Sequence, residues 1–363
     1  MSTATGTTSS TTTSAAPLSA THAAIVVRRH RRMRRRRAIV VPAALLGVAL
    51  VLGLLTLCFG SVRLSFGQVL GSLLGTGDNA AVDFIVQDLA VPQVKAAIGV
   101  GLALGAAGTI FQQLLRNPLA SPDFVGISAG ASVFAVAGLA VPALAGLSIP
   151  VLALVGALVF AIAMYLLAWR DGVSGYRFIL IGIGMSAFAT SITGYLLTRT
   201  SLTEAREALH WLTGSIGQAG DAENNVLLVV LLLLAPTVPV LQRMLRNVEL
   251  GDDTARGLGT RLEPTRLALL GVGVLLTALA TAVAGPIAFV ALVAGPVADR
   301  LLGPARGGIV AAGAVGAILC LVADYVAVQV LPVEMPTGVV TGAVGAPYLL
   351  WLLATTNRRG VGG

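Results

Sequence analysis

The sequence is poor in charged residues. Asp, Glu, Lys and Arg make up 11% of the 363 residues, whereas hydrophobic residues make up 56% and the mean hydropathy is +0.89. Soluble domains contain about 25% charged residues, so this composition does not supply a water-soluble surface. Three uncharged stretches, 124–169, 267–298 and 335–357, each exceed the roughly 20 residues that a membrane-spanning helix requires. The composition therefore predicts a membrane protein.

Lysine, histidine and cysteine are also scarce, and this limits the chemistry of the chain. The single lysine, Lys95, does not lie in a Gly-x-x-x-x-Gly-Lys-Ser/Thr sequence, so ATP cannot bind here through a phosphate-binding loop. The three histidines are His22, His30 and His210, and neither they nor the two cysteines form a zinc-binding pattern. We therefore expect no cofactor, no metal and no enzymatic activity on this chain.

Arginine is abundant, and its position explains the net charge of +8. Eight arginines lie between Arg28 and Arg37, directly before the apolar segment 38–60. This arrangement is typical of the cytoplasmic flank of a first membrane helix and does not indicate nucleic-acid binding. Residues 1–24 are rich in Ser, Thr and Ala and predict a disordered tail. We thus divide the chain into a tail and flank, 1–37, and a transmembrane domain, 38–357.

Apolar segments predict an all-α bundle of about ten transmembrane helices. The 43 glycines and the 5% aromatic content suit helices that approach each other closely within lipid. The predicted spans lie near 38–60, 94–115, 124–145, 149–168, 177–198, 225–242, 266–284, 286–302, 308–331 and 337–355.

The basic residues predict the orientation of these spans. With a cytoplasmic N-terminus, only Arg63, Lys95, Arg199 and Arg206 fall outside, and the other basic residues, including Arg170 and Arg306, fall inside. An excess of Lys and Arg on the cytoplasmic side is the usual pattern of membrane proteins. The sequence therefore predicts a multi-pass protein of the cytoplasmic membrane, which in a cell with two membranes is the inner one, with both termini in the cytoplasm.

The segment 266–299 does not fit regular spanning helices. It is too long for one helix and too short for two full helices with a loop, and it contains Gly285-Pro286 and Gly295-Pro296. Short or broken helices are predicted, because proline removes a helical hydrogen bond. Broken helices in transporters often line the transport path, although a structural kink explains the same residues.

The predicted inside loop 242–265 is longer than the roughly 2–8 residues that connect helices in a bundle. Within it, Asp252, Asp253 and Thr254 predict the start of a short helix, because acidic groups are favoured at a helix N-terminus. Gly257 and Gly259 predict its end. This short helix is a candidate docking element for a partner protein, and a solvated surface loop is the alternative.

One catalytic pattern occurs. Gly126-Ile127-Ser128-Ala129-Gly130 fits the Gly-x-Ser-x-Gly motif of serine hydrolases. That motif requires a preceding strand and a histidine base, whereas Ser128 lies in an apolar helical segment near the inside and His210 falls in an outside loop. We interpret Gly126, Ser128 and Gly130 as helix-packing residues.

Few acidic residues lie within or next to the spans, and such charges are often functional. Asp324 lies deep in a predicted span and is a candidate for a polar helix–helix contact or a group lining the path. Glu334 precedes the last span, where it either shapes an outside turn or contacts substrate. Asp299 and Arg300 lie near a helix end, where long side chains extend toward the polar interface.

Four stretches together resemble the permeases of type II ABC importers for iron-siderophores, haem and cobalamin, the FecCD family. They occur in the family order over residues 90–355. The first joins Arg116-Asn117-Pro118-Leu119 to Gly126-Ile127-Ser128-Ala129-Gly130. The second is Leu250-Gly251-Asp252-Asp253-Thr254-Ala255-Arg256-Gly257-Leu258-Gly259, the coupling segment. The third runs from Gly285-Pro286 to Gly295-Pro296, and the fourth from Pro332 through Glu334 to Thr341.

The resemblance implies a ten-helix subunit that dimerises around a central path and works by alternating access. Two separate ATPase subunits, which bind ATP and Mg, would dock on the coupling segment. An extracytoplasmic substrate-binding protein would deliver the ferric siderophore or similar chelate. Gly285, Pro286, Gly295, Pro296, Asp324 and Glu334 are the candidate path or gate residues. The alternative function is an ion-coupled secondary transporter without an ATPase partner, which usually carries more buried carboxylates.

The sequence departs from the family at its external docking sites. Where the family has Arg-x-Pro-Arg, this chain has Ala90-Val91-Pro92-Gln93, and no arginine follows Asp324 over 325–328. The histidine of the family sequence Pro-His-x-x-Arg is also absent, because the chain reads Pro296-Val297-Ala298-Asp299-Arg300. We therefore favour a heterodimer whose other permease subunit carries the docking arginines; alternatively, Lys95 and Arg63 supply part of the field.

Overall fold

The computed structural model describes residues 20–60, 62–77, 79–144, 146–169, 175–218, 220–303 and 308–360. Over these ranges the protein is helical with short connections, and an isolated bridge pairs Phe59 with Arg63. The predicted all-α class is therefore confirmed. Of the predicted tail, residues 1–19 lie outside the described residues, as do Arg170 and Arg306.

The N-terminal half contains four long helices and three shorter ones. They are α1 (Ala20–Cys58), α2 (Phe66–Leu73), α3 (Ala80–Asp83), α4 (Val91–Leu114), α5 (Ile127–Ala140), α6 (Ile149–Ala168) and α7 (Gly175–Leu197). Side-chain oxygens of Ser65 and Asn79 accept backbone hydrogen bonds at the starts of α2 and α3, as expected of N-caps. A π-helical segment, Phe84–Ala90, joins α3 to α4 without a break.

The described helices of the C-terminal half have 6 to 24 residues. They are α8 (Leu202–Thr213), α9 (Asp221–Leu234), α10 (Val238–Glu249), α11 (Asp252–Gly257), α12 (Leu262–Ala284), α13 (Val290–Leu302), α14 (Ile309–Tyr325) and α15 (Thr337–Gly360). α9 and α10 are continuous through a short 3-10 turn, so the helix extends beyond the predicted end of its span at 242. A second π-helical segment, Val326–Val330, extends α14.

Seven helical segments among the described residues are long and apolar enough to cross a membrane. They are Arg32–Cys58, Ala80–Leu114, Ile149–Ala168, Arg177–Leu197, Asp221–Glu249, Leu262–Ala284 and Ile309–Val330. The other three predicted spans correspond to α5, α13 and α15. α5 and α13 have 14 and 13 residues, so at about 1.5 Å per residue each reaches only about 20 Å of a core of about 30 Å. Among the predicted transmembrane helices, α5 and α13 are therefore short ones.

The predicted break in the segment 266–299 is present. α12 ends at Ala284, where Gly285 takes a positive φ of 69°, and α13 starts only at Val290. Phe289 also has a positive φ, 67°, which is rare outside glycine. Pro296, by contrast, lies inside α13 and does not end it. The first Gly-Pro pair therefore interrupts the helical structure, and the second does not.

α4 forms the centre of the bundle. In the most apolar part of the span that contains α4, 83% of the residues are buried. The corresponding share is 17% for the spans of α1 and α7. Gly101 and Gly105 lie directly against the backbone of α14, and Gly108 lies against Ala291 at the start of α13. A Cβ atom at any of these three glycines would overlap a carbonyl oxygen. The small residues thus allow the backbone contact that stabilises helix pairs in lipid.

Candidate functional site

The coupling segment, 250–259, folds as predicted. α11 starts at Asp252 and ends at Gly257, and it is flanked by Gly251 and Gly259, whose φ angles of 101° and 79° are readily available only to glycine. The flanking Leu250 and Leu258 expose 58% and 62% of their surface. Ala255 is completely buried and anchors the helix to the bundle. The segment is therefore a short, exposed helix between two glycine turns.

Asp252 connects this helix to two distant parts of the chain. Arg116 Nη2 donates a hydrogen bond to its Oδ1 at 2.9 Å. Arg266 Nη2, in the second turn of α12, lies 3.0 Å from Oδ1 and 2.9 Å from Oδ2 of the same carboxylate. Arg116 Nη2 also donates to the carbonyl oxygen of Val248 at 2.8 Å. The structure thus brings together Arg116 of the first family stretch and Asp252 of the second.

The turn that carries Arg116 is held by local hydrogen bonds and by one buried amide. Arg116 has a positive φ of 49°, and the Asn117 side chain accepts a hydrogen bond from the Leu119 backbone at 2.9 Å. Gln112 Nε2 donates to the carbonyl oxygens of Pro118 at 3.0 Å and Leu292 at 2.9 Å. The sequence analysis missed Gln112. Its only signal was a polar residue near the end of an apolar span.

Gly126, Ser128 and Gly130 lie at the start of α5, and their contacts agree with a packing role. Gly126 has a positive φ of 86°, and a Cβ atom at Gly130 would overlap Phe160 of α6. Ser128 Oγ donates a hydrogen bond to Asp123 Oδ1 at 2.8 Å. No strand precedes Ser128 in the described residues, because a 3-10 turn leads into α5. The geometry of a nucleophile elbow is therefore missing.

Asp123 is the acidic group of a polar cavity of about 380 Å³. Burial raises the pKa of its carboxyl, and hydrogen bonds from the Ser128 and Ser121 hydroxyls lower it. The cavity is also lined by Thr190 and Thr193 of α7 and by Pro286 of the α12–α13 connection. The break after α12 thus lies next to a hydroxyl-rich space, which a broken helix in a transporter is expected to line. The sequence analysis did not single out Asp123, Thr190 or Thr193.

The remaining candidate path residues lie in separate places. Gly295 packs against the side chains of Gln112 and Thr109 within the core, and Pro296 follows it in α13. Glu334 is exposed in the turn before α15. The structure therefore does not gather these residues around the cavity lined by Pro286.

Asp324 forms a polar contact between three helices. It is only 3% exposed. Gln93 Nε2 of α4 donates to its Oδ2 at 2.7 Å, and Thr337 Oγ1 at the start of α15 donates to its Oδ1 at 2.9 Å. Of the two roles predicted for Asp324, the structure shows the helix–helix contact. Gln93 occupies the position of a missing family arginine and is engaged inside the bundle.

The sequence and the fold of this chain match those of known proteins. The model of the FecCD transport family matches residues 45–355. The chain belongs to the FecCD transport family. The match includes the coupling segment and both Gly-Pro pairs, so the resemblance inferred from four short stretches is confirmed over most of the chain.

Two relatives resemble this FecCD chain over nearly their whole length. The ferric enterobactin transport system permease protein FepG of Escherichia coli (strain K12) is 38% identical over 316 residues, covering 87% of this chain and 96% of that protein. The achromobactin transport system permease protein CbrC of Dickeya dadantii (strain 3937) is 39% identical over 314 residues, covering 85% and 90%. This FecCD chain is therefore a transport permease with several membrane-spanning helices.

A solved structure shares the fold. It is described as an inward-facing conformation of a metal-chelate type ABC transporter, with a TM-score of 0.75 and 22% identity, and the match covers 87% of this chain and 99% of that one.

No group of three or more His, Cys, Asp or Glu residues that could hold a metal ion occurs among the described residues. Asp123, Asp252 and Asp324 instead accept hydrogen bonds from other residues of the chain.

Proposed function

We propose that this chain is the permease subunit of an ATP-driven importer that carries a ferric siderophore or a similar metal chelate by alternating access. The observation that carries this proposal is the 38% identity to a ferric enterobactin permease over 96% of that protein. The relatives named above are permeases of siderophore systems, and no observation favours the ion-coupled alternative. The transmembrane domain would extend over 38–357, with both termini in the cytoplasm.

Uptake by reconstituted vesicles tests this function. The chain and its partner subunits are placed in lipid vesicles, and a binding protein loaded with radiolabelled ferric siderophore is added. We expect iron to accumulate only when ATP is present on the ATPase side. Accumulation that follows an ion gradient and ignores ATP would instead support the secondary transporter.

The coupling segment is the proposed contact for two ATPase subunits, which would bind ATP and Mg. Its support is the exposed position of α11 and of Leu250 and Leu258 beside it. Large exposed apolar side chains on a short helix suit a partner interface. Replacing Leu258 with glutamate should release the ATPase subunits during purification, whereas Leu202→Glu, at a residue 72% exposed at the start of α8 on the predicted outside, should not. Retention of the ATPase by the first variant would contradict the proposed contact.

A heterodimer with a second permease subunit remains our proposal for the assembly. Lys95 Nζ lies 3.5 Å from Asp221 Oδ1, so its positive charge is partly compensated within the chain. Gln93, as described, bonds to Asp324. The Lys95 contact weakens the alternative in which Lys95 and Arg63 together supply the docking charge. The chain purified alone should therefore fail to retain the binding protein, and a complex of the chain alone that dissociates at high salt would contradict the heterodimer.

A further inference from the structure

The coupling helix α11 has few firm connections to the bundle. It lies between two turns in which Gly251 and Gly259 adopt positive φ angles. A Cβ atom at either glycine would have no neighbouring atom within 4 Å, so neither turn is packed against the bundle there. Besides the buried methyl group of Ala255, its described side-chain connection to other helices is the carboxylate of Asp252. A force applied to α11 therefore reaches the bundle mainly through these two residues.

The Asp252 carboxylate is shared by two guanidinium groups, one from the turn after α4 and one from α12. Arg266 is 18% exposed at its side chain, and its Nη2 contacts both carboxylate oxygens, so this ion pair is largely shielded from solvent and is supported by hydrogen bonds. Arg116 binds from the turn that ends α4 and at the same time holds the Val248 carbonyl of α10. The turn after α4 and the start of α12 therefore meet at one carboxylate, and Arg116 also holds α10 to that turn. The span that contains α4 has the largest buried share among the described spans.

The adjacent Asp253 provides a natural comparison. Its side chain is fully exposed, and its ion pair, 3.3 Å to Arg256, lies within α11 itself. Such a solvent-exposed ion pair contributes little to stability. The two neighbouring aspartates thus carry the same charge and lie in the same helix. Asp252 bonds to residues outside α11, whereas Asp253, among the described residues, bonds only within it.

We propose that Asp252 is the positioning residue that transmits movement of α11 to α4 and α12, through Arg116 and Arg266. The proposal rests on the proposed function, in which an ATPase moves α11. Coupling of this kind requires an element whose arrangement responds both to the ATPase and to the transport path. The ion pairs of Asp252 with Arg116 and Arg266 join α11 to the central helix of the bundle. Asp252 acts through its two arginines and does not contact the transported chelate.

The test compares Asp252→Asn with the matched control Asp253→Asn in the complete reconstituted transporter. We measure ATP hydrolysis, uptake and ATPase retention for each. Asp252→Asn should keep the ATPase subunits bound while uptake per ATP hydrolysed falls about tenfold, within the range by which such networks change coupling. Asp253→Asn should keep the original ratio. Asp252→Glu, which retains a carboxylate, should restore most of the loss.

Arg266→Gln should give part of the loss seen in Asp252→Asn, because it leaves the ion pair between Arg116 and Asp252 intact. The double variant should be no worse than Asp252→Asn alone, since the Arg266 contact is already weakened there. An unchanged uptake ratio in Asp252→Asn, or an equal loss in Asp253→Asn, would overturn the proposal. Leu258→Glu separates this result from a failure of the proposed function. If Leu258→Glu releases the ATPase while Asp252→Asn transports normally, only the role of Asp252 is wrong.

Discussion

Replacing Thr337 with valine tests whether the Asp324 contact holds three helices together. Valine has nearly the shape of threonine but lacks its hydroxyl, so the substitution removes the 2.9 Å hydrogen bond to Asp324. It also removes the acceptor of the Ile216 backbone N–H, at 3.4 Å. Thr337 and Asp324 are only 1% and 3% exposed, so solvent has little access to replace the lost partner.

The expected cost follows from these contacts. A buried polar group without a partner costs about 1–3 kcal/mol, whereas hydrogen bonds between membrane helices average about 0.6 kcal/mol and reach about 1.7 kcal/mol. Asp324 keeps its 2.7 Å hydrogen bond from Gln93 in the variant. We therefore expect Thr337→Val to lower the free energy of unfolding by about 1–2 kcal/mol. The Tm should fall by about 2–4 °C for each kcal/mol.

Thr277→Val is the matched control, measured by thermal unfolding of the purified protein in detergent. Thr277 is completely buried, but its hydroxyl donates to the Gly273 carbonyl of its own helix at 2.8 Å. Removing it leaves that carbonyl in its backbone hydrogen bond, so the Tm should change little. Equal changes in the two variants, or no change in Thr337→Val, would refute the role assigned to the Asp324 contact.

Three further outcomes are expected. Gly105→Leu should lower the Tm by several degrees, because its Cβ would overlap the α14 backbone, and overpacking costs about 1–3 kcal/mol; Gly271→Leu, where the space is open, should not. Equal effects would contradict the central packing of α4. Ser128→Ala should retain uptake, and Ser128 should not react with a fluorophosphonate; labelling would restore the hydrolase interpretation. A cysteine at the exposed Asp253 should react with an impermeant reagent only from the cytoplasmic side, and labelling from outside would reverse the proposed topology.

Local sequence features predicted the helices, the break after α12 and the extent of α11. Gly285-Pro286 ends α12 because the glycine adopts a positive φ and proline cannot continue the helical hydrogen bonding. The ends of α5 and α13 were less predictable. Their apolar segments continue into the flanking turns, so hydropathy alone made each of them appear longer than the helix it contains.

The candidate site was only partly predictable. Arg116 and Asp252 were both named from their family stretches, but their ion pair joins positions 136 residues apart. Arg266 and Gln112 carried no signal that distinguished them from an arginine at a helix start and a polar residue near a helix end. Asp123 was noted only as the boundary of an uncharged stretch, and its cavity depends on how α5, α7 and the α12–α13 connection meet.

The sequence by itself determined that the chain enters the membrane repeatedly as helices, because lipid demands apolar side chains and hydrogen bonding within each segment. It also determined where α11 begins and ends, since those signals are local. Only the tertiary structure decided which polar groups meet. Asp324 and Gln93 are 231 positions apart, and nothing local selects one as the partner of the other. The glycine contacts between α4 and α14 determine how these helices face each other, and with that rotation they decide which side chains touch.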